Sequence, residues 1–466
     1  MKSKLTILLT AFFIFTQCGQ KPPTIPILSN TPSAQFSLEE LEHRTFQWFW
    51  DLVDKNNQVP DRHPKRSFSS IAATGFGLTA YCIGAERKYI TREQAAERVF
   101  KTLQFLWNAP QGEEASEKSG FHGFFYHFLD HDKGLRYKDV ELSTIDTGLL
   151  MAGVLSVLSY FDKNNKTENG IRKVADDLFR RVEWTWFLNE KKNLSMGYHP
   201  ERGFLKSEWI GYNEAMVLLI MAIGSPTCPI PADSWKRWCA PYRWATFYGQ
   251  EHVNFEPLFG HQYSHMYIDF KGIQDDYMRT KGIDYFENAR RATYANRAYC
   301  MDNTAKFKNY APNEWGLTAC DGVKDTTATV NGFKIKFMGY GARGAAATAI
   351  VDDGTIAPTA AAGSIPIAPE ICLPALENMW NKYNNTPLVT KYGFKDAYNP
   401  TYTFGKGNEN GWIDPDYLGI DQGPIIIQIE NHRSQFVWNL MKKNPYIVAG
   451  LKKAGFKGGW LDSNKN

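Results

Sequence analysis

Two stretches of the chain are apolar on every helical face, and they restrict the fold more than any other feature. Leu149, Leu150, Met151, Ala152, Val154, Leu155 and Val157 leave the first almost no polar side, and Met216 to Ile223 forms a second. A helix without a polar side must be covered all round. Beyond the amino-terminal run no stretch is apolar enough to span a bilayer, so these are interior helices of a large core. More helix-like runs surround them, at roughly 37–55, 70–86, 92–108, 144–162, 168–188, 208–223, 256–280, 284–300, 358–380, 421–440 and 443–454, parted by Gly, Pro and Asn clusters. Ser37-Leu38-Glu39-Glu40 reads as a capping box opening the first. Strand-like alternation is scarce. Its main instance is 325–350, where Thr327, Thr329, Val330, Phe333, Ile335 and Phe337 predict a small hairpin or loop insertion.

Successive long helices without a repeat period of about 34 to 47 residues argue against an α-solenoid. They fit an all-α toroid, one domain in which an inner ring of helices is wrapped by an outer one. In a toroid the amino ends of the inner helices share one open face, so polar residues there meet a ligand. Composition narrows the class further. The 466 residues are 43% hydrophobic and 22% charged, which excludes disorder and collagen-like repeats. Aromatic residues reach 14%, more than a mainly aliphatic core needs, so rings are expected along a surface or cleft. Lys plus Arg (53) nearly balances Asp plus Glu (49), too even a charge for a nucleic-acid partner.

The amino terminus stands apart from the fold. Lys2 and Lys4 precede an apolar run from Leu5 to Phe15, the pattern of a secretory signal. Cys18 follows directly, ahead of a polar, Pro-rich stretch. The expected division is a signal with a lipoprotein-type Cys18 over 1–18, a tether over 19–36 and one catalytic domain over 37–466. Lipidation at Cys18 would make the protein an exported periplasmic or outer-membrane lipoprotein; ordinary cleavage with an incidental Cys is the alternative. Of the remaining cysteines, Cys228/Cys239 and Cys300/Cys320 could each close a short loop, and such bridges are optional in a chain this long.

Carboxylates gather where helices begin. Asp139, Glu141 and Asp146 precede or open the apolar helix at 149–157, with Ser143 or Thr144 as its cap. Acids there also complement the helix dipole, which alone would explain Glu141 or Asp146. Glu214, in Trp209-Ile210-Gly211-Tyr212-Asn213-Glu214, is read as lying one turn inside the second apolar segment. Burial there raises a carboxyl toward what a general acid needs, unless a buried Arg or a cap holds it. Asp421 stands at a loop-to-helix junction, as a ligand or simply an N-cap. Glu430 and Arg433 have the i,i+3 spacing of a structural ion pair. His261, His265 and Asp269 recur every four residues and would share a helix face; they offer zinc ligands, cleft ligands or core histidines, and Gln262 occupies the place of a zinc-peptidase Glu. No Gly-x-Ser-x-Gly, P-loop or credible dinucleotide fingerprint appears.

Several motifs carry a resemblance in one order: Gly123-Phe124-Phe125-Tyr126-His127-Phe128, Glu141-Leu142-Ser143-Thr144-Ile145-Asp146-Thr147, Tyr212-Asn213-Glu214-Ala215, Gly224-Ser225-Pro226-Thr227, His261-Gln262-Tyr263-Ser264-His265-Met266, Tyr392-Gly393-Phe394 and Gly419-Ile420-Asp421-Gln422-Gly423-Pro424. From about Leu38 to Gly455 the chain resembles the bacterial glycoamylase-like domain family, glycoside hydrolase family 144. The resemblance implies an (α/α)6 toroid and inverting hydrolysis of β-1,2-linked glucan or its oligosaccharides and fits an exported protein; a monomer without a cofactor is expected, no metal-binding residues are assigned, and the need for calcium stays open.

Inversion needs a protonated carboxyl at the leaving oxygen and a carboxylate that activates water, about 6.5–9.5 Å apart. Glu214 is the expected acid, and Asp146, then Glu141, the expected base. Asp421 would complete the water-handling group or bind a sugar hydroxyl. Phe124, Tyr126, Trp209, Tyr212, Tyr263, Trp412 and Tyr417 are candidate sugar platforms, each alternatively core. His127, Arg136, Asp139, His261 and His265 are further candidate substrate ligands, with Arg136 alternatively paired to Glu141. Two other readings compete: a toroid hydrolase or lyase acting on another polysaccharide, and a non-catalytic surface glycan-binding lipoprotein. Endo or exo action, the latter releasing a short sugar such as sophorose, would turn on whether the insertion at about 303–355 blocks one end of the cleft.

Overall fold

The computed structural model describes residues 28–65 and 68–463. Cys18, the signal and residues 19–27 of the tether lie outside the described residues. What is described is largely helical. Helix α1 (Leu38–Asp51) is followed by α2 (Ile71–Glu86), α3 (Arg92–Asn108), α4 (Thr144–Tyr160), α5 (Lys166–Arg181), α6 (Met216–Gly224) and α7 (Asp233–Cys239). Then come α8 (Tyr263–Tyr267), α9 (Asp276–Lys281), α10 (Tyr285–Asp302), α11 (Pro358–Ala362), α12 (Pro369–Tyr383), α13 (Gly419–Ser434), α14 (Phe436–Met441), α15 (Pro445–Lys453) and α16 (Gly459–Ser463).

Burial sorts them into two kinds. Helices α2, α4, α6, α8, α11 and α13 are buried along nearly their whole length. Between them α3, α5, α10 and α12 bury one stripe at three- and four-residue intervals. Interior helices pack on one another: α2 on α4, α4 on α6, α6 on α8, α8 and α11 on α13, and α13 back on α2. The α2–α4 contact is backbone to backbone. A Cβ on Gly153 would stand 2.0 Å from the Gly75 carbonyl oxygen, so only glycine permits that approach.

Strands are more numerous than the sequence suggests, but most pairs are two residues long and line the connections between helices. The expected hairpin is present, Thr326–Val330 pairing with Phe333–Phe337 and turning at Asn331-Gly332 with both residues at positive φ. Elsewhere the chain departs from its periodicity. The run 256–280 is broken into a 3-10 turn (Leu258–His261), α8 and α9, and 358–380 is divided between α11 and α12. Glu430 and Arg433 do not pair within α13. Glu430 accepts from Arg87 at 2.6 and 2.9 Å, and Arg433 binds Glu42, so these charges tie α13 to α2 and α1. All six described cysteines are free thiols. No helix among the described residues is long and apolar enough to cross a membrane.

Candidate active site

The amino ends of five interior helices converge on one cavity of about 510 Å³. Ser70 comes from the cap of α2, Asp146 and Leu149 from the start of α4, and Glu214 from the turn before α6. Tyr263 opens α8, Ile420 opens α13, and Ala319 and Tyr340 reach in from the insertion. Backbone N–H groups left unpaired at helix starts favour negative charge, which suits a carboxylate-lined cavity at this end.

Glu214 sits in a non-helical turn whose carbonyl accepts from Ser264 Oγ at 2.8 Å; the same Oγ accepts from the Val217 N–H at 3.0 Å. Burial, with the Asp146 charge adding to it, pushes the Glu214 carboxyl up to about 7. Asp146 is almost fully buried. Ser143 caps α4 by accepting from the Asp146 N–H at 3.2 Å and returns its own hydroxyl proton to Asp146 Oδ2. His127 bridges two acids, with Nδ1 2.9 Å from Glu141 Oε1 and Nε2 3.5 Å from Asp146 Oδ1. Burial opposes a charge on that imidazole, but Asp146 and Glu141 outweigh it and lift its pKa to about 9. His127 is therefore an imidazolium at neutral pH. It opposes the rise that burial imposes on Asp146 and draws Glu141 below the usual carboxyl range against burial.

The facing wall is acidic as well. Asp61 and Arg62 line the cavity, and Arg62 donates to Asp61 at 3.1 Å and to Asp321 at 2.6 Å. Behind it Asp396 and Asp421 share a side-chain hydrogen bond: burial and the Asp421 charge raise Asp396 well above its normal value, and burial raises Asp421 to about 7. One shared proton satisfies such a pair. Asp421 is not an N-cap. The cap of α13 is Leu418, and Asp421 lies inside the first turn.

Glu214, Asp146, His127 and Tyr263 therefore lie together on the cavity, with Glu141 one bond behind. The other expected ligands lie elsewhere. Phe124 is core, edge-on to Trp184 and Phe187, and Tyr126 is fully buried beneath Arg136. Arg136 binds Glu201 and the Val140 carbonyl rather than Glu141, and Asp139 is exposed on the surface. Trp209 spends its indole N–H on Thr144 Oγ1, and Tyr212 is packed among His261, Trp238, Tyr242 and Tyr285. His261 and His265 are core histidines, both held neutral by burial, while Asp269 pairs with Lys442. The break in 256–280 removes the common helix face they would need to ligate one ion. Tyr417 is buried against Thr390 and Tyr392, and Trp412 lies in a separate outer groove with Tyr402 and Phe404. Sequence reasoning missed Asp61, Arg62, Phe68 and Tyr340. Asp61-Arg62 stands in a charged link before α2, as open to a functional reading as 139–146, but no apolar periodicity marks it.

The Glycoamylase family profile, described as that of a glucoamylase, matches residues 206–445, just over half of the chain. A curated relative from Parabacteroides distasonis, the exo β-1,2-glucooligosaccharide sophorohydrolase (non-reducing end), is 28% identical over 454 residues. The match takes in 89% of this chain and spans 57% of that relative's length. A solved structure from Bacteroides uniformis superposes with a TM-score of 0.79 at 33% identity, over 92% of this chain and 99% of the other. The endo-β-1,2-glucanase from Chitinophaga pinensis, solved with sophorotriose and glucose, gives 0.78 at 31% identity, over 91% and 100%. By profile and by structures matched nearly end to end, this chain belongs to the glycoamylase-like family, glycoside hydrolase family 144.

Proposed function

We propose that this chain hydrolyses β-1,2-linked glucan or β-1,2-glucooligosaccharides with inversion at the anomeric carbon. The observation that carries the reading is Glu214, a carboxyl raised to about 7 that shares one cavity with the second acid Asp146. The substrates named for the Parabacteroides and Chitinophaga relatives supply the linkage. In the reaction Glu214 gives its proton to the bridging oxygen as the bond from that oxygen to the anomeric carbon breaks. Asp146 takes a proton from the attacking water, directly or through a substrate hydroxyl, and His127 opposes the rise that burial imposes on Asp146. Tyr263 and Tyr340 offer ring faces to the sugar units. An (α/α)6 toroid frames the site; six interior helices alternating with one-sided ones, and the return of α13 onto α2, support it. The chain acts as a monomer, exported and anchored through Cys18, a reading supported by Lys2, Lys4 and the apolar run Leu5 to Phe15.

Product analysis tests the proposal. Residues 19–466 are incubated with linear β-1,2-glucan beside soluble starch, β-1,3-glucan and β-1,4-glucan, with Glu214→Gln as control. Cleavage of β-1,2-glucan alone, abolished in the variant, is expected. A ladder of early products means endo action, and a single short sugar means exo action. No cleavage of any glucan, or full activity in the variant, overturns the reading.

A further inference from the structure

We propose that Asp321, Asp414 and Asp416 bind one hard divalent cation, calcium in the first instance, in the wall behind the substrate cavity. One oxygen from each carboxyl lies within 4.8 Å of the others. Two oxygens on one calcium at about 2.4 Å stand at most about 4.8 Å apart, so no pair of these oxygens is too far apart to share one ion. An oxygen-only donor set favours calcium, magnesium or manganese over zinc.

A second observation points to a cation rather than to solvated acids. Asp414 and Asp416 are each only 2% exposed. Asp414 Oδ1 accepts from the Asp416 N–H at 2.9 Å, but Asp414 Oδ2 and Asp416 Oδ1 are sealed from solvent with no hydrogen-bond donor. Buried anionic oxygens without a partner are costly, and one on each of two carboxyls of the same cluster calls for positive charge there. Among the described residues, nearby side chains supply little. Arg62 divides its guanidinium between Asp321 and Asp61. Lys65 reaches Asp416 Oδ2 only at 3.8 Å from a side chain 74% exposed, and Lys395, whose charge acts on Asp414 and Asp416, donates to the Pro415 carbonyl and forms an ion pair with neither. Among the described residues no Lys or Arg forms an ion pair with Asp414. The rival occupant is a proton, since burial and then the Asp396 charge push Asp414 up to about 8.

The ion would join segments far apart in sequence. Asp321 belongs to the insertion, and its N–H donates to Asp396 Oδ2 at 2.7 Å; the Asp396 N–H donates to the Asp416 carbonyl at 3.2 Å. Residues Tyr417–Leu418 pair with Arg62–His63, and both Arg62 and Leu418 line the cavity. A cation here fixes that wall and the start of α13.

The test needs no glycan, so its failure is separable from failure of the hydrolase reading. Chelator-treated protein is titrated with CaCl2, MgCl2 and MnCl2 by calorimetry, with terbium luminescence as a second readout, and melted with and without each metal. Binding of one ion per chain is expected, with a rise in melting temperature of about 3 °C at a hundredfold excess over Kd. In Asp414→Asn/Asp416→Asn both should vanish, while the metal-free melting temperature equals or exceeds that of wild type because like charges are gone. Should that variant fail to fold, Asp321→Asn, at the more exposed edge, should weaken binding at least tenfold. No binding at millimolar metal by either readout, or undiminished binding in the variants, overturns the proposal and leaves the proton as the occupant.

Discussion

Glu214, in the acid role proposed above, would serve chemistry at a cost in stability. The folded protein holds its proton up to about pH 7, whereas a free carboxyl releases it near 4.5. Between those values the native state binds more protons than the unfolded chain, so this group's contribution falls as pH rises from 4.5 to 7. Glu214→Gln should lower kcat on β-1,2-glucan by about 10³-fold or more. The same variant should be more stable than wild type at pH 8, by on the order of 2 kcal/mol after allowance for cavity water, with the gain absent at pH 4; urea titrations at both pH values check this. Because the acid works protonated, the wild-type rate should fall as pH passes above about 7. His127 acts through its neighbour. Removing its positive charge lets burial raise Asp146 further, so His127→Gln should cost about 10²-fold in kcat and move the acidic limb of the pH profile upward. Glu141→Gln, one bond farther from the cavity, should move that limb less.

Among the elements, α2 and α4 touch through glycines, and their geometry cannot yield. In Gly153→Ala the new methyl would meet the Gly75 carbonyl, which is backbone, so the helices must part. A loss of about 3 kcal/mol in denaturant unfolding is expected. Gly148→Ala is the contrast. Its Cβ first meets Leu218 Cδ1 at 3.1 Å, a side-chain atom that can turn aside, and the loss should be smaller. Charge ties the same layer together. Arg87→Ala leaves Glu430 and Glu42 buried with one cation fewer, and should cost about 3–5 kcal/mol without altering kcat below the melting transition. The i,i+3 spacing of Glu430 and Arg433 predicts a pair inside α13, but tertiary neighbours offered both groups closer partners on α2 and α1. A local pairing rule compares only what one helix presents.

At the scale of the whole molecule, the insertion supplies Ala319 and Tyr340 to the cavity wall. Tyr340 is 58% exposed yet lines the cavity, just beyond the Thr326–Phe337 hairpin. Tyr340→Ala should raise KM about tenfold by removing one stacking face, and should shift early products toward longer oligosaccharides if the ring marks the end of the cleft; chromatography of the first products reads both. How much of this was legible depends on what each residue's fate rests upon. Interior helices such as α4 and α6 were readable, since an unbroken apolar surface must be buried whatever surrounds it. Ser143 as a cap, the Asn331-Gly332 hairpin and the acids at helix starts were readable for the same local reason. The aromatic candidates were not. Phe124, Tyr126, Tyr212 and Tyr417 sit in motifs beside the acids, but a ring's motif does not say which way the backbone turns it, and all four face the core. The wall of Asp61, Arg62, Asp321, Asp396 and Asp416 was equally hidden, because its members come from three separate connections between helices. The sequence by itself determined which segments must be interior and which ends carry charge, through periodicity and desolvation acting over a few turns. Only the tertiary structure decided which charges meet, since the Coulombic and hydrogen-bond terms that set Glu214, His127 and the aspartate wall depend on distances no spacing along the chain encodes.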